Sequence, residues 1–135
     1  MTLDDTTRQQ LVAAALEARQ WAYVPYSGYA VGAALLTASG KIYDGVNVEN
    51  AAYPDGICAE RVAVFKAISE GEREFVAIAV VSQNGGFPCG SCRQVLSEFG
   101  LDTRVIIANT DGEILQEASV EDLLPRPFGP KHLLD

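Results

Sequence analysis

Apolar residues recur at helical spacing over residues 6–23, where Leu11, Val12, Ala15, Leu16, Ala18 and Ala22 follow the acids of LDD. That period, with carboxylates at its start, predicts an amphipathic helix, which Pro25 and Gly28 of VPYSG stop. The stretch YAVGAALLTASGKIYDGVNVEN reads as a hairpin with strands over 29–36 and 42–48 around a turn at ASGK. Ile57, Val62, Val64, Phe65 and Ile68 return to helical spacing and end at Gly71. EFVAIAVVS is a continuous, β-branched apolar run, the mark of a strand covered on both faces. A short helix in SCRQVLSEFG stops at Gly100, RVIIANTDGEILQEA is strand, turn and strand, and SVEDLLP opens a last short helix. No repeat or linker breaks the pattern. The order α-β-β-α-β-α-β-β-α predicts a single domain over residues 1–135, of α/β class, with helices packed on one five-stranded sheet. Trp21 has no reading beyond core packing.

Composition narrows the partners. With 48% hydrophobic residues among 135, a sizeable core can form without disulfides. Eighteen carboxylates against ten Lys and Arg give a formal net charge of −8. Such a surface repels polyphosphates, so no nucleic-acid partner is expected, and small neutral or weakly charged ligands fit better. MTLDDTTRQQ lacks the features of a signal peptide, and no apolar run is long enough to span a membrane. The expected compartment is the cytoplasm, with no membrane partner.

Two of the three cysteines, Cys89 and Cys92, sit in PCGSC, and the third, Cys58, in CAER. In a reducing cytoplasm a disulfide is disfavoured, and the Cys-x2-Cys spacing points instead to a metal. Both motifs fall at predicted strand-to-helix junctions, where the helix amino end favours thiolate. Soft sulfur ligands select zinc. A closed structural site needs a fourth ligand, and the one histidine, His132, lies in a Pro- and Gly-containing carboxyl-terminal tail where a solvated side chain is the ordinary case. Three protein ligands leave one position for water, the arrangement of a catalytic zinc. Three thiolates also weaken the ion as a Lewis acid, and Arg61 is placed to draw charge off sulfur, unless it is simply a solvated helix residue. Glu60, two residues after Cys58, is placed to move protons, although an acid at a helix amino end also complements the dipole.

The pairing of CAER with PCGSCRQ resembles the zinc nucleoside deaminases, in the variant that uses three cysteines. PYSGYAVGAALL, GVNVENAAY, CAERVAVFKAISEG and PCGSCRQVLSEFG resemble, in order, the blocks of the small homotetrameric cytidine deaminases, over about residues 8–128. The resemblance implies a three-layer α/β/α fold with a mixed five-stranded sheet, a homotetramer, and one zinc per subunit held by Cys58, Cys89 and Cys92. It makes Glu60 the catalytic acid and base, and gives Asn47 and Glu49 the ribose hydroxyls. An amide and a carboxylate two residues apart on a strand end do face the same way, as a diol requires, though a polar turn after a strand also explains them. Ala59 corresponds to the position whose backbone N–H meets the pyrimidine carbonyl. Tyr29 stands where an aromatic, commonly Phe, stacks near the base, and its added hydroxyl needs a partner. Phe128 in RPFGP resembles the aromatic that reaches a neighbouring subunit's site. SQNGGF and YPDGIC depart from the family pattern near the pocket entrance.

The implied activity is hydrolytic deamination of cytidine and 2′-deoxycytidine to uridine and 2′-deoxyuridine, a step of pyrimidine salvage. Water activated by zinc attacks C4, and Glu60 delivers protons to N3 and then to the departing amine. Three rivals stand beside it: a deaminase for another aminopyrimidine, a non-catalytic zinc-stabilised binding module, and a cysteine redox sensor.

Overall fold

All nine expected elements form in the expected order. The computed structural model describes residues 2–134, with α1 (Asp5–Arg19), β1 (Gly32–Thr37), β2 (Ile42–Val46), α2 (Ala59–Ser69), β3 (Phe75–Val81), α3 (Gly90–Ser97), β4 (Arg104–Ala108), β5 (Ile114–Ser119) and α4 (Val120–Leu123). Short 3-10 turns occur at Tyr53–Asp55 and Pro130–His132. Asp4 caps α1 by accepting from the Thr7 backbone N–H at 2.8 Å. Ser119 and Asp122 close a capping box on α4, each side chain accepting from the other's backbone N–H.

Three boundaries differ from the sequence pattern, each through contacts of residues 47–49. The apolar period of α1 continues to residue 23, but the helix ends at Arg19 because Tyr23 pairs with the chain around Val48. The Tyr23 N–H donates to the Asn47 carbonyl at 3.0 Å, and the Glu49 N–H donates to the Tyr23 carbonyl at 2.9 Å. Trp21 therefore lies past the buried stripe of Leu11, Val12, Ala15 and Ala18 and is 75% exposed, which corrects its assignment to the core. β2 stops at Val46 because Val48 bridges to Tyr23 and to Ile57. β1 starts only at Gly32 because the Asn47 side chain takes the hydrogen-bonding groups before it: Val31 N–H donates to Asn47 Oδ1 at 2.9 Å, and Asn47 Nδ2 donates to the Tyr29 carbonyl at 2.8 Å. A side chain stands there in place of a strand.

The sheet runs β2-β1-β3-β4-β5, with β3 and β4 parallel and every other pair antiparallel. α1 covers one face, placing Leu11, Val12 and Ala15 on Ala34, Leu36, Ala79, Val81 and Ile106. α2, α3 and α4 cover the other, where Ala63, Val64, Leu96 and Val120 meet Leu35, Ile78, Val80, Val105 and Ile107. This is the three-layer α/β/α arrangement with a mixed sheet. β3 contributes to both clusters, as its uninterrupted apolar run requires. Leu11, Leu35, Leu36, Ile78, Ile106 and Ile107 are fully buried, and each contributes about 1.5–3 kcal/mol of transfer free energy. Among the described residues no helix is long and apolar enough to cross a membrane.

One contact fixes where α2 begins. A Cβ on Gly45 of β2 would collide with the Ala59 carbonyl oxygen and lie 2.6 Å from the Ala63 nitrogen, so the first turn of α2 rests directly on β2 backbone. A second tie joins α1 to the far edge of the sheet. Glu117 on β5 accepts from Arg8 Nε at 2.7 Å and from Arg104 Nε at 3.0 Å, and these bonds, that to Arg8 foremost, hold its carboxyl below the ordinary carboxylate value.

Gly45→Ala forces backbone apart and is expected to destabilise the fold by about 2–3 kcal/mol in denaturant unfolding, more than alanine at an exposed strand position. Glu117→Gln is expected to lower the melting temperature by a few degrees at pH 7. A carboxylate lowered in the folded state stabilises fully above its unfolded pKa and loses that contribution as pH falls through its folded one. The gap between parent and variant should therefore close in an acid titration of melting temperature.

Candidate functional site

Two helices deliver the cysteines. Cys58 is the N-cap residue of α2 and Cys89 that of α3, both with extended backbone, and Cys92 lies in the first turn of α3. α2 is entered from the Val48–Ile57 bridge and a 3-10 turn, and no full strand leads into it. Neither cap side chain bonds a backbone N–H of its helix, which leaves the sulfurs free to face each other at the positive ends of two helix dipoles. Cys58 Sγ is 3.8 Å from Cys89 Sγ, Cys89 Sγ is 3.6 Å from Cys92 Sγ, and all three lie within 4.8 Å of one another. The edge of a tetrahedron built on Zn–S bonds of about 2.3 Å is about 3.8 Å, so the donor set and its spacing fit zinc. His132 is not in the cluster; its Nδ1 accepts from the Gly129 N–H at 3.0 Å and its ring stacks on Phe128. All three cysteines are free, with Cys92 buried, Cys58 half-buried and Cys89 exposed.

Arg61 is turned onto this cluster. Its Nη2 donates to Cys58 Sγ at 3.4 Å, and its buried Nε has no hydrogen-bond partner among the described residues. The Cys58 thiol is brought down to about 5, first by the hydrogen bond from Cys92 and then by Arg61, while burial opposes. Cys92 moves the other way, pushed up by its bond to Cys58 and by burial. The two shifts place the first thiolate on Cys58 in preference to Cys92. The guanidinium that stabilises it is not the freely solvated side chain that an exposed helix residue would present.

Glu60 follows in the first turn of α2 and is only 5% exposed. Burial, reinforced by the Cys58 charge, raises its carboxyl to about 7. An acid that merely complements a helix dipole gains nothing from such burial. Glu60 lines an inner cavity of about 210 Å³ together with Cys58, Ala59, Tyr29, Val31, Val80 and Phe87. An outer cavity of about 690 Å³ shares Asn47 and Cys58 with it and adds Glu49, Tyr26, Ser27, Tyr53 and Arg61. The structure therefore brings Cys58, Ala59, Glu60, Arg61, Asn47, Glu49 and Tyr29 around adjoining cavities.

Asn47 and Glu49 lie just past β2, on either side of the bridging Val48. Glu49 accepts from the Tyr26 and Ser27 backbone N–H groups at 3.0 and 3.1 Å and from the Ser27 hydroxyl, which holds its carboxyl below the ordinary value. Phe128 is not brought to either cavity of its own chain. It is 60% exposed, stacks on His132 at 5.1 Å, and its carbonyl accepts from Gln94 Nε2 at 2.8 Å.

Some supporting residues escaped the sequence reading. Arg93 donates to the carbonyls of Pro88 at 2.7 Å and Leu123 at 3.0 Å, so it ties the residue before Cys89 to the end of α4. Its position directly after Cys92 was the available signal. Ser27, Tyr26 and Tyr53 on the outer wall had none beyond lying in polar or aromatic loops. Tyr26 and Tyr53 meet edge to face at 5.9 Å.

Residues 5–109 match the family described as the cytidine and deoxycytidylate deaminase zinc-binding region. The chain is 50% identical over 131 residues to a cytidine deaminase of Halalkalibacterium halodurans, covering 95% of this chain and 98% of that one. A probable cytidine deaminase of Dictyostelium discoideum is 44% identical over 93% of this chain and 86% of its own. The crystal structure of cytidine deaminase from Burkholderia pseudomallei superposes with a TM-score of 0.85 at 44% identity, covering 93% of this chain and all of that one. With a family match over most of its length and relatives alike from end to end, the chain belongs to the cytidine and deoxycytidylate deaminase zinc-binding family.

Proposed function

We propose that this chain hydrolyses cytidine and 2′-deoxycytidine to uridine and 2′-deoxyuridine with release of ammonia. The observation that carries the reading is the buried Glu60 carboxyl on the wall of an inner cavity that also reaches Cys58 of the thiol cluster. The relatives' description as cytidine deaminases supports the same substrate.

The pyrimidine enters the inner cavity and the sugar remains in the outer one, where Asn47 and Glu49 meet its hydroxyls. Glu49 is fixed by three donors, and Asn47 by two backbone partners, so both are oriented before substrate arrives. Cys58, Cys89 and Cys92 would hold the zinc, which when bound would supply Lewis-acid activation of water. Glu60 takes a proton from the attacking water and delivers it to N3 as the oxygen adds at C4, then takes the proton of the new C4 hydroxyl and delivers it to the exocyclic nitrogen, whereupon the C4–N bond breaks, the C4 carbonyl forms and ammonia leaves. Burial suits it to that work, because a carboxyl raised to about 7 exchanges protons in both directions near neutral pH. The Ala59 backbone N–H meets the pyrimidine carbonyl. Arg61 withdraws charge from the Cys58 sulfur it contacts.

Residues 1–135 act as one catalytic domain, and the reduced thiols suit a cytoplasmic compartment. Four copies assemble, with the exposed Phe128 of each reaching toward a neighbour's cavity.

The test is ultraviolet absorbance of cytidine mixed with the purified, zinc-loaded protein, with Glu60→Gln run in parallel. The expected result is turnover by the parent and a loss of about 10²–10⁴-fold in the variant at equal zinc content. A zinc-replete parent inactive on both cytidine and 2′-deoxycytidine, or a variant as fast as the parent, contradicts the reading.

A further inference from the structure

We propose that the hydrogen bond between Tyr29 and Asn84 is a strap across the inner cavity that sets which ring substituents a pyrimidine nucleoside can carry. The inference rests on the proposed deaminase reading, since it assigns the ring to that cavity.

Tyr29 lies just before β1, and Asn84 in the loop between β3 and α3. The Tyr29 hydroxyl donates to Asn84 Oδ1 at 2.6 Å, joining segments 55 residues apart. At its other end Tyr29 is tied to the residues that frame the outer cavity. Its N–H donates to Ser27 Oγ at 3.0 Å, and its carbonyl accepts from Asn47 Nδ2 at 2.8 Å. The Ser27 hydroxyl in turn donates to Glu49. The ring is therefore fixed at both ends, backbone to the sugar side and hydroxyl to the loop.

The loop carries three more residues of the inner wall: Ser82, Gly86 and Phe87. Its own internal anchor is one bond, from the Gly86 N–H to Ser82 Oγ at 3.0 Å. A Cβ on Gly86 would sit 3.0 Å from the Tyr29 hydroxyl, so the loop backbone passes close beside the strap. The segment is solvent-exposed at Asn84 and Gly86, and Phe87 keeps about a third of its surface in water. In a cavity of about 210 Å³, a wall free to yield decides whether an extra methyl fits. Removing the hydroxyl leaves the Tyr29 ring in place and loosens only the loop. Removing the Asn84 amide loosens the same loop from the other side.

The experiment compares kcat/KM for cytidine and 5-methylcytidine in the parent, Tyr29→Phe, Asn84→Ala, the double variant and Asn84→Asp, alongside amide hydrogen exchange of residues 84–87. Each single variant should reduce discrimination against 5-methylcytidine about 3- to 10-fold, the range one net hydrogen bond supplies, chiefly through a lower KM for that substrate. The double variant should be no different from the singles, because both remove one interaction. Asn84→Asp keeps an acceptor for the hydroxyl and should retain parental discrimination. Exchange at 84–87 should quicken in the two single variants and not in Asn84→Asp. Unchanged discrimination in both singles, or effects that add in the double, overturns the proposal, and turnover of cytidine by the parent then leaves the deaminase reading standing. If the parent turns over neither nucleoside, the deaminase reading fails and the specificity proposal with it; unchanged exchange would separately show that no strap exists.

Discussion

Two helix amino termini meet at one point only because α2 is set down directly on strand backbone. Gly45 has no side chain, so the carbonyl of Ala59 and the nitrogen of Ala63 approach closer than any Cβ would permit. That contact fixes Cys58, Ala59 and Glu60 together, since all three occupy the cap and first turn of α2. α3 arrives from the neighbouring part of the sheet with Cys89 and Cys92 in the equivalent places. Arg93 then pins the carbonyl just before Cys89 to the end of α4. The thiol cluster thus inherits its geometry from rigid elements, as a preorganised metal site requires.

The same placement makes the electrostatics work. Helix ends and Arg61 favour the negative charge on sulfur, and Cys58 is correspondingly acidic. Glu60, two residues on, lines the cavity and is shielded from water, so it holds its proton more readily than a surface carboxyl. Two residues in one helix turn are thereby shifted in opposite directions by environment alone, Cys58 toward thiolate and Glu60 toward the protonated acid.

Much of this was legible in the sequence because it is local. The helix and strand periods, the capping sequence SVED and the twin cysteine motifs each declare themselves within a few residues. The element order and the two-sided burial of β3 followed from them. What was not legible depends on pairings between distant segments. The bridges of Val48 to Tyr23 and Ile57 cut α1 and β2 short and left Trp21 in solvent, and nothing in the period of residues 6–23 announces that competition. Asn47 was read as a group for a ligand; its side chain also organises the start of β1. The extra hydroxyl of Tyr29 was noticed as a group in need of a partner, and only the fold could name Asn84.

The central claim is that three sulfurs from two helix ends hold one zinc and leave a fourth position to solvent or substrate. X-ray absorption at the zinc edge of the purified protein tests it most directly. Three sulfur neighbours at about 2.3 Å and one lighter neighbour per zinc are predicted, with one zinc per chain. Four sulfur neighbours, or protein purified under reducing conditions that takes up no zinc, would contradict it.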